Sequence, residues 1–205
     1  MNKRCPRPLQ LPIDENTVRA LRCGDSLSLS GRLLTARDGV HKYLYDGHSA
    51  PCQMAGSVIY HCGPIAVREG NGWRVTAAGP TTSIREETYM STLIRRFELR
   101  GIIGKGGMGQ QTLAACRDCG CVYMHAVGGA AQVFAEAIRR VCNVYLADRF
   151  GLPEAIWELD VVDFPVVVTM DTHGGDLHDR VRAGAVLRLF DATKGSRANT
   201  NPAGP

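Results

Sequence analysis

Apolar and polar positions change period near the middle of the chain. In the first eighty residues the runs are short and extended. Ser26-Leu27-Ser28-Leu29-Ser30-Gly31 alternates polar and apolar, which predicts a half-buried strand continued by Leu33-Leu34-Thr35. Val58-Ile59-Tyr60 and Trp73-Arg74-Val75-Thr76 predict two further strands, with a turn around Gly70-Asn71-Gly72. After a start rich in proline, short helices are predicted at Glu15–Arg22 and Arg37–Tyr45, and Gly47–Gly56 reads as a loop. From Ile84 onward Met90, Leu93, Ile94 and Phe97 recur at three and four, the stripe of an amphipathic helix. A strand at Leu99–Ile103, a glycine loop, a helix at Gln110–Arg117, a strand at Val122–His125 and a helix from Ala131 to Val141 follow. Ile156–Val162 and Pro165–Thr169 predict two last strands. The expectation is an α/β chain, β-rich in its first half and alternating strands and helices in its second. It forms one domain over 1–190, with a disordered tail over 191–205.

Composition narrows the function classes. With 44% hydrophobic and 21% charged residues in 205, the chain has the profile of a globular domain and buries roughly 70% of its unfolded surface. The formal charge of +4 is scattered, without a basic run, so nucleic-acid binding is not predicted and an anionic small molecule suits it. No apolar run follows the basic Met1–Pro6 segment, and none approaches the roughly 18 residues of a membrane span. The eight cysteines then belong to a reducing, cytoplasmic setting as free thiols.

Five stretches carry residues able to do chemistry. Gly79-Pro80-Thr81-Thr82-Ser83-Ile84-Arg85-Glu86 stands where a strand passes into a helix, and Ser83 and Glu86 have the spacing of a capping box. Free N–H groups there favour an anion, and the Arg85 fork matches a carboxylate; the alternative is an ordinary cap with a solvated arginine. Gly104-Lys105-Gly106-Gly107-Met108-Gly109 matches G-x-G-x-x-G. The ribose-binding acid expected about 20 residues on is replaced by Gly128, Gly129 and Ala130, so a dinucleotide site is not predicted. What is left is a second anion site carrying Lys105, or a tight turn. Thr35-Ala36-Arg37-Asp38-Gly39-Val40-His41 presents Arg37 and His41 on one helical face, either toward a substrate or as a capped surface turn. Cys116, Cys119 and Cys121 make half a zinc motif with no second half, and Asp171–His178 reads as a polar turn, so no metal is predicted on this chain.

Seven segments in order resemble one family. They are Ser30-Gly31 through Thr35-Ala36-Arg37-Asp38 to His41-Lys42, then Ile59-Tyr60-His61-Cys62-Gly63-Pro64, Gly79-Pro80-Thr81-Thr82-Ser83 and Gly104-Lys105-Gly106-Gly107-Met108. His125-Ala126-Val127-Gly128-Gly129-Ala130-Ala131, Pro153-Glu154-Ala155-Ile156-Trp157 and Asp163-Phe164-Pro165 complete the set. Together they resemble the β subunit, or C-terminal domain, of class I iron–sulfur fumarases and L(+)-tartrate dehydratases. The resemblance implies a swivelling β/β/α domain and a cluster-bearing α subunit as partner, whose three cysteines hold a [4Fe-4S] cluster. It implies a dicarboxylate substrate, with fumarate and malate interconverted, or tartrate dehydrated to oxaloacetate. Thr81 would be the catalytic base, and Arg37, Arg85 and Lys105 would bind the substrate. A heterotetramer, or a homodimer of the isolated chain, is expected by the same analogy. A homologue that binds anions without catalysis is the reading from another class. Where the family carries Met after the arginine, this chain carries Glu86-Glu87.

Overall fold

The computed structural model describes residues 5–197. In chain order its elements are β1 (Arg7–Leu11), α1 (Glu15–Ala20), β2 (Ser26–Thr35), α2 (Asp38–Tyr45), β3 (Val58–Tyr60), β4 (Ile65–Glu69) and β5 (Gly72–Ala77). A 3-10 turn at Ser83–Glu86 leads into α3 (Glu87–Phe97), β6 (Gly101–Gly104), α4 (Gln110–Cys119), β7 (Val122–His125) and α5 (Ala131–Glu136). The chain continues through β8 (Ile138–Tyr145), α6 (Ala147–Phe150), β9 (Ile156–Met170) and α7 (Leu177–Arg197). The fold is mixed α/β. No described helix is long and apolar enough to cross a membrane.

The main sheet runs β1-β2-β3-β6-β7-β9-β8, and β4 and β5 form a separate hairpin. Strands β1, β2, β3, β6 and β7 pair in parallel, with helical crossovers between β2, β3, β6 and β7 as parallel pairing requires. The long antiparallel strand β9 pairs with both β7 and β2, which closes β2, β3, β6, β7 and β9 into a ring. Successive residues of the parallel strands therefore enter two different cores. Val58, Tyr60, Ile103, Val122 and Met124 pack with Leu29, Phe134, Trp157 and Phe164. Ile59, Ile102 and Tyr123 pack instead against Val40 and Leu44 of α2, Met90 and Leu93 of α3, and Ala115 and Cys116 of α4. Burial on both faces explains why these strands read as continuous apolar runs. Each fully buried aliphatic side chain contributes about 1.5–3 kcal/mol. Trp73 of the hairpin meets Trp157 at 5.4 Å, so β4–β5 lies over the first core.

Several elements differ from expectation. The predicted helix to Val141 stops at Glu136, and Ile138–Tyr145 is an outer strand on β9. Phe134, Ile138 and Val141 sit at helical spacing yet all pack on the first core, so the period alone misleads. The two strands predicted at the end are one, β9, bent at Asp163 with φ 56° and held there by bonds from Ser28 Oγ and to Ser30 Oγ. Strand β1 hid behind its proline, tolerated because the strand is outermost. Strand β4 is almost wholly exposed and so has no apolar pattern to show. Helix α7 runs to Arg197, into the stretch predicted to be disordered, and the remainder of that stretch lies outside the described residues.

Gly31 sits at the irregular step of the β2–β9 pairing, with φ 115°. A Cβ there would lie 2.5 Å from the Leu11 carbonyl oxygen. Gly31→Ala is expected to destabilise the chain by about 1–3 kcal/mol, read as a lower urea midpoint; an unchanged midpoint contradicts this geometry.

Candidate active site at the carboxyl ends of the parallel strands

Because β2, β3, β6 and β7 are parallel, their carboxyl ends share one edge of the sheet, where open α/β sheets bind ligands. The segments leaving that edge are Ala36-Arg37, His61-Cys62-Gly63, Lys105-Gly106-Gly107 and Ala126-Val127-Gly128. The Thr81–Ser83 segment is laced between two of them. Thr81 N–H donates to the His61 carbonyl at 2.7 Å, Lys105 N–H to the Thr81 carbonyl at 3.2 Å, and Ser83 N–H to the Lys105 carbonyl at 3.0 Å. The Thr81 hydroxyl also donates to the His61 carbonyl, at 3.0 Å. Thr81 and Lys105, far apart in sequence, are thus neighbours by backbone pairing. The Lys105 stem passes Gly128, where a Cβ would meet its Cδ at 3.7 Å.

The arginines arrive from α2 and from the 3-10 turn. Arg37 is the residue before α2; its Nη1 lies 3.3 Å from Glu154 Oε1 and 3.4 Å from the Pro153 carbonyl. Gly63 makes room for it, since a Cβ there would lie 2.4 Å from the Pro153 oxygen and 2.9 Å from Arg37 Nη1. Arg85 grips Asp38 with both edges of its fork, Nε on Oδ1 at 3.2 Å and Nη2 on Oδ2. Asp38 opens α2 directly after Arg37, so one helix start anchors both guanidiniums. The structure brings all four sequence-predicted residues, Arg37, Thr81, Arg85 and Lys105, to one rim, three cations beside a hydroxyl.

Other residues at this rim take partners that local spacing did not signal. The predicted capping box is not formed. Ser83 Oγ instead meets His61 Nδ1 and the Tyr123 hydroxyl, each at 2.9 Å. Glu86 is 1% exposed, with Oε2 3.3 Å from the buried His41 Nδ1. Burial, and then the Asp38 carboxylate beside it, push Glu86 up to about 8, while burial pulls His41 down to about 4. Glu87 takes the N-terminus of α4: its carboxylate accepts from the N–H of Gly109 (2.7 Å), Gln111 (3.0 Å) and Thr112 (3.1 Å) and from the Thr112 hydroxyl (2.6 Å). The glycine loop therefore does not offer a free helix N-terminus to an anion; Lys105 is what it contributes. A cap supplied from another helix cannot be seen in local spacing. Among the described residues no three His, Cys, Asp or Glu side chains converge as metal ligands. The eight cysteines are free, and Asp171 closes its polar turn by accepting from His173 and Gly175 N–H groups, both at 2.9 Å.

This geometry meets a matching family. The model of the family described as Fumarase C-terminus matches residues 7–181. The chain belongs to that family. It is 50% identical over 182 residues to a candidate fumarate hydratase class I of Geobacillus stearothermophilus, covering 88% of this chain but 35% of that protein. It is 38% identical to a candidate L(+)-tartrate dehydratase subunit beta of Methanocaldococcus jannaschii, covering 86% of this chain and 93% of that one. With the L(+)-tartrate dehydratase subunit beta of Escherichia coli K12 it shares 33% identity, over 82% of this chain and 85% of that one. The chain thus spans about a third of the first of these relatives and most of the other two.

For this member of the Fumarase C-terminus family, Glu86 and Glu87 have structural work beside the rim. Glu87→Ala leaves three N–H groups of α4 uncapped and is expected to cost about 1–2 kcal/mol by chemical unfolding, as loss of an N-cap does. The Glu86 pKa is raised on folding, so its contribution is fully present below about 4.5 and is lost as pH rises through about 8. Glu86→Gln is therefore expected to gain stability relative to the native chain across that window. Parallel pH curves for the two proteins would show that the Glu86 carboxyl is not perturbed.

Proposed function

We propose that this chain is the β subunit of a two-subunit hydro-lyase that reversibly hydrates fumarate to malate. The observation that carries the reading is the rim itself, where Arg37, Arg85 and Lys105 surround Thr81 at the shared strand edge of a Fumarase C-terminus chain. A dicarboxylate needs two cationic ends, and two forked donors plus a point charge supply them. Loss of a proton from the carbon beside a carboxylate builds charge on that carboxylate. Arg and Lys donors turned onto it stabilise it, Arg85 by exchanging Asp38 for the substrate, and losing one such donor costs about 10²–10³ in rate. Thr81 is the base in this reading. Its hydrogen points to the His61 carbonyl, which leaves its oxygen lone pairs toward the rim. To take a second proton it must first pass on its own, so an activating carboxylate is required from the partner.

The partner is an α subunit, which in this reading also holds the [4Fe-4S] cluster. Exposed Ile84 and Val127 flank the rim, 51% and 60% accessible, as expected of a half-site that another chain covers. In this reading the domain is a swivelling β/β/α unit over 1–190, which the packing of the hairpin, the sheet and helices α2–α4 supports. The assembly is a heterotetramer, the isolated chain a homodimer, and the setting cytoplasmic, in keeping with eight free thiols. Tartrate dehydration to oxaloacetate is the second reading. It is favoured by the two relatives named for tartrate, which this chain matches over nearly their whole length.

The test is anaerobic turnover of fumarate, malate and tartrate, offered separately to this chain co-purified with its candidate cluster subunit. Fumarate–malate interconversion is expected, absent from either chain alone, with Thr81→Ala and Lys105→Ala each lowering kcat/KM by about 10²-fold or more. Oxaloacetate from tartrate alone would move the assignment to the second reading. An intact complex that turns over no diacid would leave an anion-binding subunit and overturn the proposal.

A further inference from the structure

Behind the rim lies a group of buried polar side chains that substrate binding does not use. His41, His61, Ser83 and Tyr123 are all 0% exposed. Their hydrogen bonds can run in only one direction. Among the described residues the partner of the buried Tyr123 hydroxyl is Ser83 Oγ, so its hydrogen goes there. The reverse arrangement would leave that buried hydrogen without an acceptor. The Ser83 hydrogen is then free only for His61 Nδ1, which must be bare, and places the imidazole proton of His61 on Nε2. His41 is fixed from the other end. Its Nδ1 lies 2.8 Å from the Arg37 carbonyl, which can only accept, so Nδ1 carries the proton and Nε2 is bare. The two rings meet edge to face, centroids 4.9 Å apart. His61 Nε2 and His41 Nε2, a donor and an acceptor, are both buried without a partner. Burial holds both imidazoles neutral at pH 7.

Each member of this group grips one element of the rim. The His61 carbonyl holds Thr81 twice, by its N–H and by its hydroxyl. Ser83 stands two residues from Thr81 and occupies the space beside Gly104, where a Cβ would lie 1.9 Å from its Oγ; Lys105 follows directly. Tyr123 backs Ser83 through its hydroxyl, and His41 holds the backbone of Arg37. We propose that Tyr123, Ser83 and His61 form one buried positioning chain of fixed donor direction, with His41 packed edge to face against its end, and that together they set Thr81 and Lys105 relative to Arg37. These are positioning residues, since none touches substrate. The claim that they matter for turnover rests on the hydro-lyase reading; the claim about proton placement does not.

The test therefore has two arms. Imidazole nitrogen NMR of the folded chain reads the tautomers directly, and His61 is expected as the Nε2–H form and His41 as the Nδ1–H form, both uncharged at pH 7. In Ser83→Ala the His61 preference is expected to be lost. In the complex with its cluster subunit, Ser83→Ala is expected to lower kcat about tenfold or more, the worth of one buried hydrogen bond to a reacting group. KM should stay within about threefold, and Tyr123→Phe should act in the same direction. A His61 protonated on Nδ1 in the native chain would overturn the chain of donors. So would a folded Ser83→Ala complex with kcat within about twofold of native, because a merely structural serine lowers stability and not turnover. A native complex that turns over no diacid would sink the functional reading alone, and the tautomers would still decide the proposal.

Discussion

The carbonyl oxygen of His61 accepts both hydrogens that Thr81 has to give, and this double bond to one atom places the candidate base. It is possible because β3 ends at Tyr60, where its ladder with β6 runs out and leaves a carbonyl unpaired at the strand end. The Thr81–Ser83 segment fills that gap and extends the pairing by one step on each side, to His61 and to Lys105. Closure of β2, β3, β6, β7 and β9 into a ring makes the edge rigid. The candidate base and Lys105 are therefore set by backbone hydrogen bonding and need no loop to order itself around them.

Close approach is the second constraint. Gly63 and Gly104 are the positions where a single methyl group would collide with the site's own support, the Pro153 carbonyl with Arg37 in one case and Ser83 Oγ in the other. Both residues follow or end a parallel strand, where backbone and side chains converge. Charge is balanced over the same short span. Asp38 answers Arg85, Glu154 answers Arg37, and Glu86 is held mostly protonated by burial and by Asp38. The rim thus stays cationic although three acids stand beside it.

Much of this was legible in the sequence, for physical reasons that differ by residue. Strands β3, β6 and β7 announced themselves as apolar runs because both faces are buried. Arg37, Arg85 and Lys105 stood out as cations just beyond strand ends, each with an ordinary cap or turn as the alternative, and it was the family resemblance that singled them out together with Thr81. The capping box at Ser83 and Glu86 was a true spacing with a false meaning, since both side chains found stronger partners in tertiary space. Strand β8 was hidden by a helical coincidence of Phe134, Ile138 and Val141, and β4 by its exposure. The caps and supports that cross between elements, Glu87 on α4 and His61 on Ser83, lie 22 residues apart in sequence and more than one element away. No local period encodes them.

The most direct measurement is a structure of this chain in complex with its cluster subunit and a bound dicarboxylate. The account predicts the Arg85 fork and Lys105 Nζ within hydrogen-bonding distance of the carboxylates, Arg37 on the same ligand, and Thr81 Oγ1 facing the carbon that loses its proton. A diacid seated elsewhere, with the Thr81–Lys105 edge turned away from the partner and Arg85 still closed on Asp38, would contradict it.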